Sequence, residues 1–566
     1  MDFAGQNDHA VFDDAAVGTE PIADPVPDYL QILENIVTHL EDGFDHPEIW
    51  QLLSTATPAE IADLRGLTEG LIDRQSGTVL KSLTVLLGLL QALAGDRATG
   101  LTTLDRLAVQ NAHCPQVAGA LFFVQRHGQG GPSPDLSDRF CDSPFVKFET
   151  LMDGSVAPCC SIWTQQRLGN LDGQSFAQIW NSESAQAMRA SILDGSYRHC
   201  NKQRCSFIID DVLPKRDDVT DPDLRHIIDA SVTEMAKGPR WLFLAHDVTC
   251  NLACPSCRGG IEVADAEQER RFAIIERDVF GPLLNAEGEV LISVSGQGDP
   301  WSSPHYRSIL RYMSDHDLDA RLDLHTNALL MNEARWAQYP GLEKYLPSVN
   351  VSIDSCTPWV YAVLRRPGTW AKLLPNLQFI AAKRARGNFR EFHINATIQL
   401  DNFHEMPALV DLAETLGADS VRLYMMQNTG GHLEHDFDHK NIGSANHPLH
   451  VAFLETLRDE RLGRQIAHLY DVANWRTRSF EQTLPSDSLP TNYTLLDLHD
   501  AIREAHGMPD RVVALCAAGR TRFSDDLDLL LIEANALAEL GFSAQAQYRL
   551  NERTALGGEA ITLRPH

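Results

Sequence analysis

Positive charge is scarce in this sequence. Lys and Arg number 48 against 77 Asp and Glu, a formal charge of −29 over 566 residues, and no basic stripe stands out. Binding along a phosphate backbone needs clustered cations, so no nucleic-acid partner is expected. Long apolar runs are missing too. The greasiest stretch, Leu83 to Leu93, contains Thr84, Gly88 and Gln91 and is too short to span a bilayer; no membrane partner is expected. The first residues, Met1-Asp2-Phe3-Ala4-Gly5-Gln6-Asn7-Asp8, offer neither a positive n-region nor an apolar core of a secretory signal. Cysteine is too sparse for a disulfide scaffold, 11 in 566, and nine of the 11 fall between Cys141 and Cys356, several in tight sets. That distribution points to metal ligation in a reducing compartment, and the expectation is a cytoplasmic protein.

What is present is an ordinary globular balance, 43% hydrophobic and 22% charged, enough for roughly three or four domains. Residues 1–27, with Pro21, Pro25 and Pro27, form a loose polar tail. From Asp28 apolar residues recur at helical spacing, and helices are expected at about 28–40, 58–74, 78–95, 98–111 and 115–127. This makes 28–127 a helical domain of paired helices, similar to tetratricopeptide-type repeats. Gly128-Gln129-Gly130-Gly131-Pro132-Ser133-Pro134 is a linker by composition.

A cysteine-rich domain is expected over 139–212. Cys141 is followed by twelve residues, Gly154, four more and Cys159; Phe145–Leu151 and Ser155–Ala157 form a hairpin turning at Asp153-Gly154. Helices near 179 and over 184–193 lead to Cys200 and Cys205. Cys141, Cys159, Cys200 and Cys205 supply four thiolates, suited to a 4Fe–4S cluster or to zinc; Cys160 is a spare beside Cys159.

From Trp241 six β-rich runs alternate with helical stretches: 241–246, 290–295, 321–326, 348–354, 392–399 and 421–426. Such alternation means a parallel sheet with crossover helices, over 239–430. In β/α architectures chemistry collects at the carboxyl ends of strands, and every run here ends in polar residues. The first leads into Cys250-Asn251-Leu252-Ala253-Cys254-Pro255-Ser256-Cys257. Three cysteines in so short a loop can share one centre: an iron–sulfur cluster with one iron left open, or a structural zinc with His246 as fourth ligand.

This loop resembles the cluster-binding signature of the radical S-adenosylmethionine (radical SAM) enzymes, with Ser256 where an aromatic often stands. The resemblance implies an open six-stranded (β/α) partial TIM barrel. It also implies a 4Fe–4S cluster on Cys250, Cys254 and Cys257 whose open iron takes S-adenosylmethionine (SAM). Reductive cleavage then gives a 5'-deoxyadenosyl radical that abstracts hydrogen from the substrate. By the same resemblance, Gly296, Gly298 and Asp299 in Ser295-Gly296-Gln297-Gly298-Asp299-Pro300 take the SAM ammonium. Ser352 and Asp354 contact the ribose, and Arg365 or Arg366 pairs with the SAM carboxylate. Asn327 and Gln399, amides at strand ends, are further candidates for cofactor contact. His246, Asp247 and His325 belong to the surroundings of the cluster. No residue presents itself as the substrate base.

The cysteine-rich stretch resembles the auxiliary-cluster domain of the SPASM/twitch subgroup, whose opening half is a C-x9-15-G-x4-C hairpin. In the family that domain usually follows the barrel; here it precedes it. One auxiliary 4Fe–4S cluster is implied, together with a flavodoxin- or ferredoxin-like electron donor. Beyond residue 430 a mostly helical region, 431–566, is expected. It has a histidine-rich loop over 435–446, surface histidines at His432, His435, His439, His447 and His450, and helices at 453–470, 495–505, 512–518, 527–540 and 544–550. Cys356 and Cys516 are expected to be buried thiols. The function this implies is modification of a peptide or protein by crosslinking, oxidation or epimerisation. The alternatives are radical oxidation or rearrangement of a sugar, alcohol or amino acid, and a zinc-bound scaffold without catalysis.

Overall fold

All six apolar runs after residue 240 pair into one sheet in the computed structural model, because alternate Val, Ile and Leu side chains can be buried under crossover helices only if the runs lie side by side. The structure describes residues 58–72, 77–110, 120, 135–281 apart from 162, 165, 201, 203, 204 and 210, 288–427 apart from 295 and 297, and 434–561. The expected tail and the helices at 28–40 and 115–127 lie outside the described residues, apart from residue 120. Two units emerge, residues 1–133 with 198–201 and residues 134–197 with 202–566.

In the first unit helices Pro58–Ile72, Gly77–Leu93 and Arg97–Gln110 follow the expected periodicity. The last two approach closely because Gly88 and Gly100 face each other; a Cβ on Gly100 would meet the Gly88 carbonyl oxygen at 2.5 Å.

The second unit is built on ten strands: β1 (Lys147–Thr150), β2 (Ser155–Ala157), β3 (Gly169–Asn170), β4 (Trp241–Leu244), β5 (Val290–Val294), β6 (Ala320–Thr326), β7 (Ser348–Ser352), β8 (Glu391–Ile398), β9 (Ser420–Met425) and β10 (Ala467–His468). Their order is β10-β9-β8-β7-β6-β5-β4-β1-β2-β3. The cysteine hairpin therefore docks by extending the sheet. Its first strand β1 pairs in parallel with β4, Lys147 opposite Trp241 and Thr150 opposite Leu244, while β2 and β3 fold back antiparallel. Every pairing from β4 to β10 is parallel. Phe145 and Val146 belong to a helical turn, Ser143–Val146 with Pro144 at its start, rather than to the expected strand. Arg189 staples this region together: its guanidinium donates to the carbonyls of Pro144 (2.9 Å), Trp180 (2.8 Å) and Thr233 (2.9 Å).

Helices Ala266–Ile275, Pro304–Asp315, Trp370–Ala385 and Met406–Leu416 cover the apolar side of the sheet, with Leu322, Leu324, Val349, Val351, Ile394 and Leu423 fully buried there. The region after residue 430 departs from expectation in three places. Glu434–Lys440 is a short helix, not a loop. The expected helix 453–470 stops at Leu457 and gives way to a 3-10 turn ending at Gly463 and to β10. His447 and His450 are not surface histidines: both are buried, their rings bonded to the carbonyls of His439 and Ile442 at 3.0 and 2.9 Å. Burial lowers His447 to about 4, so it stays neutral. His432 and the side chain of His435 lie outside the description. Among the described residues no helix is long and apolar enough to cross a membrane.

The C-terminal helices join the sheet through buried charge. Glu405 accepts from the Cys356 amide at 3.0 Å and from the Thr357 hydroxyl, facing Arg549 of helix Ser543–Ala555. Burial pushes the Glu405 carboxyl up from 4.5 to about 7. Between those values the folded chain keeps a proton that the unfolded chain has lost, so stability falls as pH rises through that window and levels off above it. Glu405→Gln is expected to remove this contribution, on the order of 3 kcal/mol between pH 5 and 8, measured by denaturant titration of variant against parent. Identical pH slopes for the two proteins would contradict the assignment.

Candidate functional site

The cysteine loop leaves β4 at its carboxyl end and is held against its neighbours mostly by backbone. Asp299 N donates to the Thr249 carbonyl at 3.0 Å and Ala253 N to the Arg366 carbonyl at 2.6 Å. Gly296 and Gly298 make this approach possible. Gly296 sits at φ +72°, and a Cβ on it would overlap Ala245, while one on Gly298 would overlap the carbonyl oxygen of Asp247 and meet that of Thr249 at 2.9 Å. Glycine here is required by space, not only by turn geometry.

Each sulfur of the loop meets an N–H group. Cys250 Sγ accepts from Leu252 N at 3.4 Å and Asn327 Nδ2 at 3.7 Å. Cys254 Sγ lies 3.9 Å from Arg365 Nη1 and Cys257 Sγ 3.6 Å from Arg258 Nη2. Two guanidiniums and an amide around three thiols favour the thiolate form that metal ligation needs. Burial works against these donors and outweighs them at two sulfurs, pushing Cys250 up to about 11 and raising Cys254. Cys254 lies within electrostatic reach of both Cys250 and Cys257, although among the described residues no three Cys, His, Asp or Glu side chains are drawn close enough together to hold a metal ion. Arg258 also donates to the Val248 carbonyl at 2.6 Å, which fixes the loop's exit.

The strand ends supply the rest of the rim. Asp299 is 2% exposed and turned inward: Oδ1 accepts from Trp301 N at 3.0 Å, Oδ2 from Thr326 Oγ1 and Asn327 N, both at 2.8 Å. Burial raises its carboxyl pKa against these bonds. Asn327 Nδ2 also donates to Asn251 Oδ1 at 3.0 Å, tying β6 to the loop. Asp354 holds φ +59°, a left-handed conformation that costs a non-glycine residue free energy. Its carboxylate accepts from Thr397 N at 2.8 Å and pairs with Arg365 Nε at 2.8 Å, and this ion pair holds the Arg365 guanidinium well above its usual pKa despite burial. Arg366 next door is exposed. The two candidate arginines are thus distinguished: Arg365 reaches the cysteine loop with its side chain, Arg366 only with its carbonyl. Ser352 is half-buried at the end of β7. Gln399 is 0% exposed, and neither atom of its amide has a partner.

Two histidines fall elsewhere. His246 Nδ1 lies 2.7 Å from Thr150 Oγ1 and Nε2 lies 2.8 Å from His305 Nε2, with His305 Nδ1 2.9 Å from Glu276. This chain of contacts runs into the helix layer, so His246 has no free nitrogen for a zinc ion at the cysteine loop. Burial lowers its pKa and keeps it neutral. His325 lies on the opposite side of the sheet beside Asp323, Nε2 to Oδ1 3.1 Å.

In the second cysteine set, Cys141 and Cys205 interact, and the Cys141 thiol is pushed up to about 12, chiefly by burial. Trp163, just past Cys159 and Cys160, packs edge-on against Phe207 at 5.3 Å, bringing that loop to the helix after Cys205. Cys159 also lies near Arg167. Cys200 falls in the segment grouped with the first unit. Glu149 Oε1 accepts from Ser161 N at 3.2 Å, linking this loop to β1. Sequence reasoning passed over Arg258, Asn251 and Glu149. Arg258 directly follows the last cysteine, a signal that was available. If Gly298 makes room for the loop, Gly298→Ala should increase amide exchange over residues 247–257 at least tenfold, read by hydrogen-exchange mass spectrometry. Unchanged protection there would show that the contact is dispensable.

Residues 141–206 match the SPASM iron–sulfur cluster-binding domain, beginning at Cys141 and ending just past Cys205. An AdoMet-dependent heme synthase of Nitratidesulfovibrio vulgaris is 25% identical over 209 residues, 34% of this chain and 53% of that protein. The chain spans about half the length of the curated relatives it matches. Among solved structures, Streptococcus suis SuiB bound to S-adenosylmethionine overlaps with a TM-score of 0.25 at 16% identity, covering 36% of this chain and 44% of that one. A histidine-tagged anSMEcpe with bound AdoMet overlaps at 0.27 and 17%, covering 40% and 62%. In its three-cysteine loop, its SPASM match and its curated relatives, the chain is similar to the radical SAM enzymes that carry a SPASM domain.

Proposed function

We propose that this protein is a radical SAM enzyme working on an open six-stranded partial barrel, with a 4Fe–4S cluster on Cys250, Cys254 and Cys257 and SAM at the strand ends. The observation that carries this is the set of N–H donors on the three loop sulfurs, two of them from arginines. Cluster thiolates take such bonds, which tune the potential of the centre. When bound, the cluster and SAM together supply a carbon radical able to take a hydrogen atom from a substrate.

The chain's own residues do the holding. Gly298 keeps the loop after β5 against the cysteine segment and leaves backbone groups at hand for an ammonium. Asp299 has both oxygens committed to the rim but keeps lone-pair capacity for one more donor. Asp354 and Arg365 face each other until a ligand with a diol and a carboxylate separates or bridges them. Ser352, Asn327 and Gln399 complete the contacts; the amide of Gln399, buried without partners, costs free energy that a ligand could recover. Arg366 is the weaker candidate for the carboxylate.

One auxiliary 4Fe–4S cluster on Cys141, Cys159 (or Cys160), Cys200 and Cys205 is proposed as an electron outlet or relay. A flavodoxin- or ferredoxin-like donor in a cytoplasmic, reducing setting suits it. The substrate is proposed to be a peptide or protein. The name of the curated relatives, heme synthase, favours the second reading, a small molecule. The tetratricopeptide likeness of the N-terminal helices, as a partner-binding surface, stays with this proposal.

Two experiments test it. Anaerobically reconstituted protein should bind about eight irons per chain; Cys250/Cys254/Cys257→Ala should halve that and abolish SAM cleavage, while Cys141/Cys205→Ala should halve it and leave cleavage measurable. A colourless zinc protein would refute the reading. Deuterium transfer into 5'-deoxyadenosine from labelled peptides, and not from labelled metabolites, would select the peptide; the reverse pattern would select the small molecule.

A further inference from the structure

One side of the sheet is apolar and packed by helices; the other carries hydrogen-bonding side chains that form a connected band. Parallel register places paired residues on the same face. Ser352 stands opposite Asn395, Asn395 opposite Arg422, and Arg422 opposite His468. The row starts beside the cysteine loop, since β6 is in register with β7 up to Thr326–Val351 and the next residue, Asn327, touches Cys250.

Below this row a network fixes the band in place. Trp241 Nε1 donates to Ser293 Oγ at 2.8 Å, and Ser293 Oγ to Asp323 Oδ2 at 2.9 Å. Asn350 Nδ2 donates to Asp323 Oδ1 at 3.1 Å and Arg422 Nη1 to Asn350 Oδ1 at 2.8 Å. Residues from five strands thus lock one another's rotamers, and Arg422 is the cation that ends the line. The network leaves two neighbouring donors unused: Arg422 Nε and Asn395 Nδ2 are both buried and without a hydrogen-bond partner. They belong to directly paired residues on adjacent strands, about 5 Å apart by sheet geometry. Two unmet donors side by side on one face, one of them cationic, suit a pair of acceptor oxygens.

We propose that Arg422 and Asn395 anchor a carboxylate of the substrate, holding it on the polar face of the sheet across from the cysteine loop. This rests on the radical SAM reading and adds to it a substrate class, an acid. The carboxylate could come from a small acid or from a peptide side chain, and recognition by guanidinium and amide is the same for both.

Intrinsic tryptophan fluorescence, with Trp241 in the band, supplies the test on the full, reconstituted chain. The probes are N-benzoylglycine against its amide, and a terminally blocked octapeptide with one central glutamate against its glutamine counterpart. The acid member of at least one pair should bind tenfold or more tightly than its neutral partner. That preference should vanish in Arg422→Gln, survive in part in Arg422→Lys, and fall at least fivefold in Asn395→Asp, whose added charge repels the acid. Preference in the first pair alone assigns a small acid; preference in the second assigns a peptide carboxylate. No acid preference in either pair, or one that persists in a folded Arg422→Gln, overturns the inference. Arg422→Lys, which keeps the charge and part of the preference, guards against a variant that merely unfolds. A chain that cleaves SAM yet shows no acid preference would refute this inference alone; acid binding by a chain devoid of iron would refute the radical SAM reading alone.

Discussion

Gly298 lets the loop after β5 lie directly on the backbone that carries the cysteines, and the rim is built outward from this contact. A single methyl there would collide with the Asp247 carbonyl. With the methyl absent, Asp299 N reaches the Thr249 carbonyl and the Asp299 side chain turns in to bind Thr326 and Asn327. Asn327 in turn reaches Cys250. One steric constraint therefore sets the position of the β5 and β6 ends relative to the start of the cysteine loop. It also explains why the aspartate is so enclosed: its first duty is to join β5 and β6.

The other half of the rim is organised by charge. Asp354, in a left-handed conformation, holds Arg365 by an ion pair, and Arg365 reaches Cys254. A buried pair of this kind gains little net stability because both charges lose their water. Its value lies in fixing one guanidinium between a carboxylate and a sulfur. The conformational cost at Asp354 and the desolvation cost at Arg365 fall at the same place, as expected where function rather than stability selects the residues.

Much of this could be read from the sequence, for a physical reason. Strand ends in β/α sheets collect polar residues, so the cysteine loop, the Gly296–Asp299 turn, Asn327 and Asp354 announced themselves by position, whereas Arg365, at the end of helix Pro358–Leu364, was singled out only by the family resemblance and together with Arg366. The six runs after Trp241 became β4 to β9 because alternation of β-branched and polar residues is a local signal. The docking of the cysteine hairpin was not legible: β1 pairs with β4 across some ninety residues of chain, and nothing local encodes a non-local parallel register. The polar face was present as alternation in Asp323–His325, Asn350–Ser352 and Asn395–Thr397, but a strand read only for its apolar face hides it. His447 and His450 misled because a histidine on a short, polar stretch gives no sign of the carbonyl it will meet. Helix Glu434–Lys440 has almost no apolar period, and the helix from His450 ends at Leu457 although the hydrophobic pattern runs on.

The most direct test of the account is electron paramagnetic resonance of the reduced, anaerobic protein with and without SAM. A cluster held by only three cysteines has an iron to which SAM can bind, so its signal should change on adding SAM, and Cys250/Cys254/Cys257→Ala should keep only the auxiliary cluster's signal, which SAM leaves unchanged. A reduced protein with no iron–sulfur signal, or with one that SAM leaves untouched, would contradict the account.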